Sequence, residues 1–372
     1  MSSFIPNPTA QAQTSASTEA TRQAPTLPTA AEVQERAEDV SEAAVQAASV
    51  ITAEPDTASQ RSGAFSNYSS DAESRASTSL ASSVRDYAFE NGRRYHRFRE
   101  GAYLFPNDEP EQDREDMKHA MAVSVMGDKL HFAPIENPQQ VIDLGTGTGI
   151  WAIEFADSYP SANVLGIDLS PIQPSWVPPN CRFVVDDAES EWLHPKDYFD
   201  FVHARHTAQA FKNYDMVLKR AYNHIKPGGW MECQEMHHFA QCDDGSMPDD
   251  YKLTEYIGYI QKGLAVLGPD LQAALKLADK LKATGFVNVE ERVLKVPIGT
   301  WARNQTLKKI GLYFQAVLMD GLQGIALGPM CRGLGWSPEE VEVFLPSVRE
   351  DLKNKSIHSY FTLHVIYGQK PA

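Results

Sequence analysis

Short apolar runs recur along the chain from about residue 138 and alternate with segments whose apolar positions follow helical spacing. Residues 141–144 are an apolar run that leads into the glycine-rich residues 145–149, and residues 150–156 continue with helical spacing. Four similar runs predict the next strands, at residues 163–168, 181–185, 199–203 and 230–235. Strands that alternate with helices in this way predict an α/β fold with a doubly wound, mostly parallel sheet.

The segments around these five strands have patterns of their own. Residues 111–132 predict a helix before the first strand, and the Lys-Pro-Gly-Gly sequence at 226–229 predicts a turn before the fifth. Residues 251–284 predict one long helix. Residues 286–294 and 359–367 predict two further strands. Between them, residues 300–355 predict a helical insertion that we expect to cap the strand ends.

Three regions follow from these patterns. Residues 1–86 are rich in serine, threonine, alanine, glutamine and proline, so they bury too little apolar surface to offset chain entropy, and we predict a disordered tail. Residues 87–137 predict a helical lid segment, and residues 138–372 the main domain with its insertion.

One part of the tail has the pattern of a helix. A capping-box sequence at residues 29–32 precedes a weak apolar stripe that ends near Ile51. A stripe this weak predicts a fluctuating helix, or one that folds on a partner. Its apolar members are Val33, Val40, Ala44, Val45 and Ala48.

The glycine loop indicates a site for a nucleotide-like ligand. Gly145, Gly147 and Gly149 lack Cβ atoms, so a ligand can approach the backbone next to the amides of a helix N-terminus. Their spacing, with Thr146 between the first two, is G-x-G-x-G rather than the G-x-G-x-x-G of dinucleotide sites, and there is no P-loop sequence. A nicotinamide dehydrogenase is therefore disfavoured.

Acidic residues follow or end the predicted strands, where parallel sheets bind ligands. Asp143 would repel a pyrophosphate but accommodate a ligand that carries a sulfonium and an ammonium group. Asp168 lies about 20 residues beyond the last glycine, the position from which a carboxylate binds ribose hydroxyls; its alternative role is a cap for the following turn. Asp186 and Asp187 are suited to contact an adenine amino group.

These residues resemble the class I S-adenosylmethionine-dependent methyltransferases, and in particular their fungal LaeA-like branch. The resemblance covers roughly residues 87–372, and Thr146 stands where many relatives carry cysteine. Its motifs stand in order at residues 91–96, 103–106, 149–152, 168–174, 176–179 and 226–230.

The resemblance implies a Rossmann-like, seven-stranded sheet in which the last strand lies antiparallel beside the sixth. It implies S-adenosyl-L-methionine as cofactor, held by the glycine loop, Asp168 and Leu169. Members of this branch regulate fungal secondary metabolism and development, some within protein complexes, and others methylate natural products. A cofactor-binding scaffold that acts through partners is the alternative to an active enzyme.

Candidate catalytic residues lie at the end of the fourth strand. Methyl transfer is an in-line displacement, and a base is needed only where the acceptor must lose a proton. His203 or His206 is a candidate base, and the alternative is that both line the pocket without proton chemistry. Tyr95 and Tyr103 are candidates for cation–π contact with the sulfonium, with ordinary packing as the alternative.

Composition narrows the partners. A formal charge of −15 disfavours direct binding to nucleic acid. We expect no signal peptide and no membrane span, and four cysteines without paired spacing indicate the cytoplasm or the nucleus. The spacing of Cys233, His237, His238 and Cys242 disfavours a zinc site, so no metal is expected. The acceptor, a small molecule or a protein, is not identified by the sequence.

Overall fold

The computed structural model describes residues 30–55 and 87–372, and of these residues 38–55 and 87–372 belong to one compact unit. Residues 30–37 are helical and belong to a separate unit. The elements before the main sheet are α1 (Ala30–Ala47), an antiparallel hairpin of β1 (Tyr87–Glu90) and β2 (Arg93–His96), and α2 (Glu109–Val125).

A seven-stranded sheet organises the rest of the unit, in the order β5-β4-β3-β6-β7-β9-β8. The first five strands in chain order pair in parallel, and β9 pairs antiparallel with both β7 and β8. The predicted mixed sheet and the antiparallel position of the last strand beside the sixth are therefore confirmed. The strands are β3 (Gln140–Leu144), β4 (Asn163–Asp168), β5 (Cys181–Val185), β6 (Phe199–Arg205), β7 (Ile225–Gln241), β8 (Val287–Pro297) and β9 (Tyr360–Gln369).

Helices cover both faces of this sheet, because side chains of alternate residues point to opposite faces. Val141 packs with Trp151 and Phe155 on one face, whereas Ile142 packs with the helices on the other. The helices are α3 (Ile150–Ser158), α4 (Tyr214–His224), α5 (Lys252–Leu267), α6 (Leu277–Thr284), α7 (Gln305–Ala326) and α8 (Pro338–Lys353).

The turn predicted at residues 226–229 lies within β7 as a bulge. Phe199 pairs with Ile225, but Phe201 pairs with Trp230, so residues 226–229 of β7 lie opposite only one residue of β6. Proline lacks the amide that a ladder needs, and Gly228 has a φ of +81°. The chain thus turns locally and the strand continues.

Two predicted helices have other bounds. α2 begins earlier because Asp108 caps it, accepting from the Glu111 amide at 3.3 Å, and it ends at Val125 because Gly127 and Asp128 have left-handed backbones. The single helix predicted at 251–284 is wrong. α5 ends at Gly268, whose φ is +118°, and a 3₁₀ turn, Ala273–Lys276, precedes α6.

The helices of the insertion are confirmed. Asn304 caps α7, a π-helical turn (Leu327–Gly333) follows it, and α8 starts with a complete capping box between Ser337 and Glu340.

Residues 38–55 pack into the main unit, so the predicted disordered tail is wrong for this segment. Ala43, Ala47 and Ile51 are buried in its largest apolar cluster. The predicted stripe is also wrong, since Val45 is 65% exposed and Ala48 is exposed. The capping box involves Thr29, which lies outside the described residues.

Asp39 of α1 connects this segment to the start of α7. Its carboxylate accepts hydrogen bonds from the Thr306 amide at 2.8 Å, from the Thr306 hydroxyl and from the Asn304 side chain at 3.0 Å. An isolated bridge pairs Ala53 with Ala302, close to the same helix end. Asp39 thus caps a helix far away in sequence.

Replacing Asp39 with alanine is expected to destabilise the protein by about 1–2 kcal/mol, because α7 loses a charged acceptor at its N-terminus. Thermal unfolding followed by circular dichroism measures this loss. Glu42→Ala is the matched control, since that carboxylate lies on the same helix and accepts from Gln46 of that helix. Equal melting temperatures for Asp39→Ala and Glu42→Ala would contradict the capping role.

One helical stretch among the described residues, Gln305–Gly333, has the length and composition of a membrane-spanning helix. More than half of its most apolar window is buried within the fold, as is also common in core helices of globular proteins. It is weak evidence for a membrane span.

Candidate functional site

The glycine loop joins β3 to α3 and lies beside a large cavity at the carboxyl ends of the parallel strands. Gly145, Gly147 and Gly149 have φ values of +66°, +57° and +83°. A Cβ added at Gly147 would meet nothing within 4 Å, whereas one added at Gly149 would collide with the Phe183 ring. Gly147 therefore keeps the cavity open to a ligand, and Gly149 serves the packing of the loop.

We call this space, of about 1030 Å³, the main cavity. It contains eight of the residues that the sequence predicted for the site: Tyr103, Gly145, Gly147, Asp168, Leu169, Asp186, Asp187 and His206.

Asp168 connects the end of β4 to the glycine loop. One carboxylate oxygen accepts from the Gly147 amide at 2.9 Å and the other accepts from the Ser170 amide at 2.8 Å. Burial raises the pKa of Asp168. Each oxygen retains a lone pair toward the main cavity that it lines. Both predicted roles, support of the turn and contact with a ligand, are compatible with this geometry.

The acids at the end of β5 differ in how they are engaged. Asp187 accepts from the Glu189 amide and the Ser190 hydroxyl, and it forms an ion pair with Arg99 at 3.5 Å. Asp186 accepts one short local bond, from the Asp187 amide. Asp186 is thus the freer acceptor of the two.

A smaller space of about 400 Å³, the inner cavity, adjoins the main cavity and shares the glycine loop with it. Asp143 lies in its wall and accepts from Thr146 Oγ1 at 2.6 Å and from His203 Nδ1 at 2.7 Å. The His203 ring stacks on Trp151 with centroids 3.6 Å apart. Because Nδ1 donates to a carboxylate, the Nε2 atom of neutral His203 is a buried acceptor without a partner in the described structure.

Burial lowers the pKa of His203, so the ring stays neutral. An orphaned acceptor in the wall of a cavity is suited to a ligand that donates hydrogen bonds, such as an ammonium group. The residues present therefore fit a nucleoside that carries a cationic amino-acid tail.

Glu115 of α2 lines both cavities and was missed by sequence reasoning. Burial raises the pKa of this carboxyl, but the Lys118 ammonium, at 2.8 Å, and the Arg114 guanidinium outweigh burial and bring its pKa to about 2. Glu115 is therefore ionised. Its only signal in the sequence was an acidic stretch in a predicted helix, which does not specify which carboxylate faces the sheet.

Arg205 faces Glu115 across the same space and donates to His119 Nδ1 at 2.7 Å. His119 in turn donates to Glu154 at 3.0 Å. Burial lowers the pKa of Arg205, whereas nearby acids raise this pKa. The walls of the two cavities thus carry both positively and negatively charged side chains in fixed positions.

The two tyrosines predicted for the site have different positions. Tyr103 lines the main cavity and packs edge-on against Phe105, with centroids 5.2 Å apart. Tyr95 does not line either cavity. Its buried ring lies 5.8 Å from the Arg332 guanidinium, so the structure does not bring Tyr95 together with the other predicted site residues, and its contact with a cofactor stays a prediction.

His206 follows β6 and has a left-handed backbone, with a φ of +56°. It lines the main cavity, the inner cavity and a third space beneath α7. Both ring nitrogens are buried without a hydrogen-bond partner in the described structure. Burial, and then the charges of Lys118 and Arg205, hold the pKa of His206 well below its usual value. Of the two histidines, His206 is the one that is free to contact a ligand with either nitrogen.

No group of three or more metal-ligating side chains occurs within residues 30–55 and 87–372. Cys233, one of the four residues weighed for zinc, is a residue of β7 whose side chain is buried in the core.

Comparison with known proteins agrees with this geometry. A methyltransferase-domain model matches residues 114–291. The chain is 38% identical to methyltransferase pytC of Aspergillus terreus over 79% of its length and 91% of the relative. It is 36% identical to the secondary metabolism regulator LAE1 of Cochliobolus heterostrophus, over 76% of its length and 94% of the relative.

A further relative carries a more specific name. The protein-methionine methyltransferase laeA of Emericella nidulans is 32% identical, with 76% of each chain covered. With such identities over most of both chains, the protein belongs to the fungal LaeA-like family of class I methyltransferases, enzymes that use S-adenosyl-L-methionine as methyl donor.

Proposed function

We propose that S-adenosyl-L-methionine binds across the main and inner cavities, with its adenosine in the first and its amino-acid tail in the second. The observation that carries this proposal is the open backbone at Gly147, between Asp168 on one side and Asp143 on the other. When bound there, the sulfonium supplies an electrophilic methyl group.

The residues of the chain would divide the binding work. Asp168 would accept from the ribose hydroxyls, and Asp186 from the adenine amino group, with Asp187 and Leu169 beside it. His203 Nε2 would accept from the ammonium group, while Thr146 and Asp143 hold the His203 ring and the loop. The Asp143 carboxylate, whose partners Thr146 and His203 are neutral, places a negative charge in the inner cavity that favours a sulfonium over a neutral thioether.

We also propose that the enzyme has a regulatory role in secondary metabolism and development, in the cytoplasm or the nucleus and with partner proteins. The identity with the regulators LAE1 and laeA supports this role. A charge of −15 supports partner-mediated rather than direct contact with nucleic acid. The alternative, methylation of a natural product, is supported by the 38% identity with pytC.

Calorimetric titration of the full chain with S-adenosylmethionine, S-adenosylhomocysteine and NAD tests the donor site. We expect the first two ligands to bind and NAD to fail, because a pyrophosphate beside the Asp143 carboxylate is repelled. Binding of NAD in preference to the other two would overturn the proposal. The proposal does not require a Glu115→Gln variant to lose S-adenosylhomocysteine binding, because Arg205 and Asp143 still line the inner cavity in that variant.

A further inference from the structure

A third space, the apolar cavity, lies next to the donor site and has no role in holding the donor. It measures about 590 Å³, including space open to solvent, and shares His206 and Gln209 with the main cavity. Its wall contains aromatic and aliphatic side chains from α5, α7 and β7, among them Met236, Tyr256, Phe314 and Val317, together with Phe105 from the segment before α2. This lining is typical of sites for compact apolar molecules.

Five residues with side-chain nitrogens interrupt this apolar wall: Arg114, Lys118, His206, Gln209 and His238. The first two are engaged by Glu111 and Glu115. The histidines are not, since both ring nitrogens of His206 and Nδ1 of His238 are buried without a partner in the described structure. Burial, with the nearby Lys118 charge, lowers the pKa of His238 to about 3, so both rings are neutral.

Buried polar atoms without partners are uncommon, and each one indicates a group that the site is built to receive. A neutral imidazole offers one donor and one acceptor, which together match a hydroxyl group. Carboxylate-bearing ligands are less suited, because neither free ring is charged.

Resting on the proposed function, we infer that the apolar cavity is the acceptor site and that its substrate is a compact apolar molecule bearing an acidic hydroxyl, a phenol or an enol. The hydroxyl donates to His206, which lies at the junction with the donor site. The roof formed by α7 and α5 encloses the cavity, so a small molecule fits it better than a peptide.

The transfer at this junction balances. The hydroxyl oxygen forms a bond to the methyl carbon, the carbon–sulfur bond breaks with its electron pair remaining on sulfur, and the hydroxyl proton is released to solvent, because the low pKa of His206 prevents the ring from retaining it. His206 accepts a hydrogen bond that orients the hydroxyl, and the positive charge of the sulfonium leaves the site with the proton. The ionised Glu115 lies beside the donor position and Lys118 beside the acceptor.

The test uses 2-naphthol as probe and naphthalene as the matched probe that lacks only the hydroxyl. Affinities are measured by fluorescence on the full chain saturated with S-adenosylhomocysteine. We expect 2-naphthol to bind about tenfold more tightly than naphthalene, and we expect His206→Phe to abolish that preference. Equal affinities of the unmodified protein for the two probes would overturn the inference.

A cavity-filling variant keeps the test informative if His206→Phe does not fold. Val317→Phe narrows the apolar cavity without touching the donor cavities, so it is expected to weaken both probes by about tenfold while S-adenosylhomocysteine binds as before. Val343→Phe, the same change at an 81% exposed position of α8, is the control and should bind both probes normally. Probe binding by Val317→Phe at the unmodified level would also overturn the inference.

Product analysis completes the test. With S-adenosylmethionine, mass spectrometry is expected to detect 2-methoxynaphthalene for the unmodified protein and for Val343→Phe but not for Val317→Phe. Failure of the unmodified protein to bind S-adenosylhomocysteine would refute the proposed donor site. Donor and probe binding without methoxynaphthalene would instead refute only the hydroxyl as acceptor.

Discussion

Replacing Gly147 with valine is expected to weaken binding of S-adenosylhomocysteine by at least about 100-fold, to below detection in a standard calorimetric titration. Two effects act together. The left-handed backbone at φ +57° is one that a β-branched residue rarely adopts. The new side chain would also project into the open space that the ligand needs, since no protein atom lies within 4 Å of an added Cβ.

The control for this prediction is Gly335→Val. Gly335 has a φ of +78°, likewise has nothing within 4 Å of an added Cβ, and lies before α8, away from the main and inner cavities. It carries a similar backbone strain without obstructing the ligand. Comparable affinities of the two variants, measured on samples with native circular dichroism, would mean that the loop does not cradle the donor.

Replacing Asp168 with alanine is expected to weaken the same ligand by about ten- to a hundredfold. A lost hydrogen bond to a charged acceptor is worth about 1.5–3 kcal/mol. The carboxylate also accepts from the Gly147 and Ser170 amides, so its removal loosens the loop as well. An unchanged calorimetric dissociation constant would refute the ribose assignment.

Two nucleosides can distinguish a direct contact of Asp168 with the ribose from an indirect effect of Asp168→Ala through the loosened loop. Adenosine and 2′,3′-dideoxyadenosine are titrated into the unmodified protein and into Asp168→Ala, which forms a double-mutant cycle. A ribose contact predicts that the unmodified protein prefers adenosine and that the variant has lost most of this preference. If both proteins show the same preference, Asp168 acts only by supporting the turn.

Local pattern was sufficient for much of the fold. The buried strands β3, β4 and β6 and the glycine turn come from contiguous sequence, because burial on both faces produces continuous apolar runs. The predicted single helix at 251–284 failed at Gly268 and Pro269, two residues that interrupt helices and stand inside an otherwise helical pattern. β7 extended beyond its predicted bounds because pairing with β9 continues past the apolar run.

The site was less accessible to sequence reasoning. Asp168 and the glycines follow from their place at strand ends, but the positions of Glu115 and Tyr95 depend on how the segment before the sheet folds onto it. The left-handed backbone of His206 directs its ring to the junction of three cavities, and no spacing in the sequence signals this. Ala43 and Ala47 are small residues whose burial arises from packing against the main unit.

The cap that Asp39 places on α7 has a consequence for folding during synthesis. Asp39 and Thr306 are 267 positions apart. At a ribosomal rate of about 5–20 residues per second, roughly 13–50 seconds separate the appearance of the two ends of this contact. Ala43, Ala47 and Ile51 lack their final packing partners throughout that interval. The nascent chain therefore presents an amphipathic segment early, and its docking is among the last steps that complete the native unit.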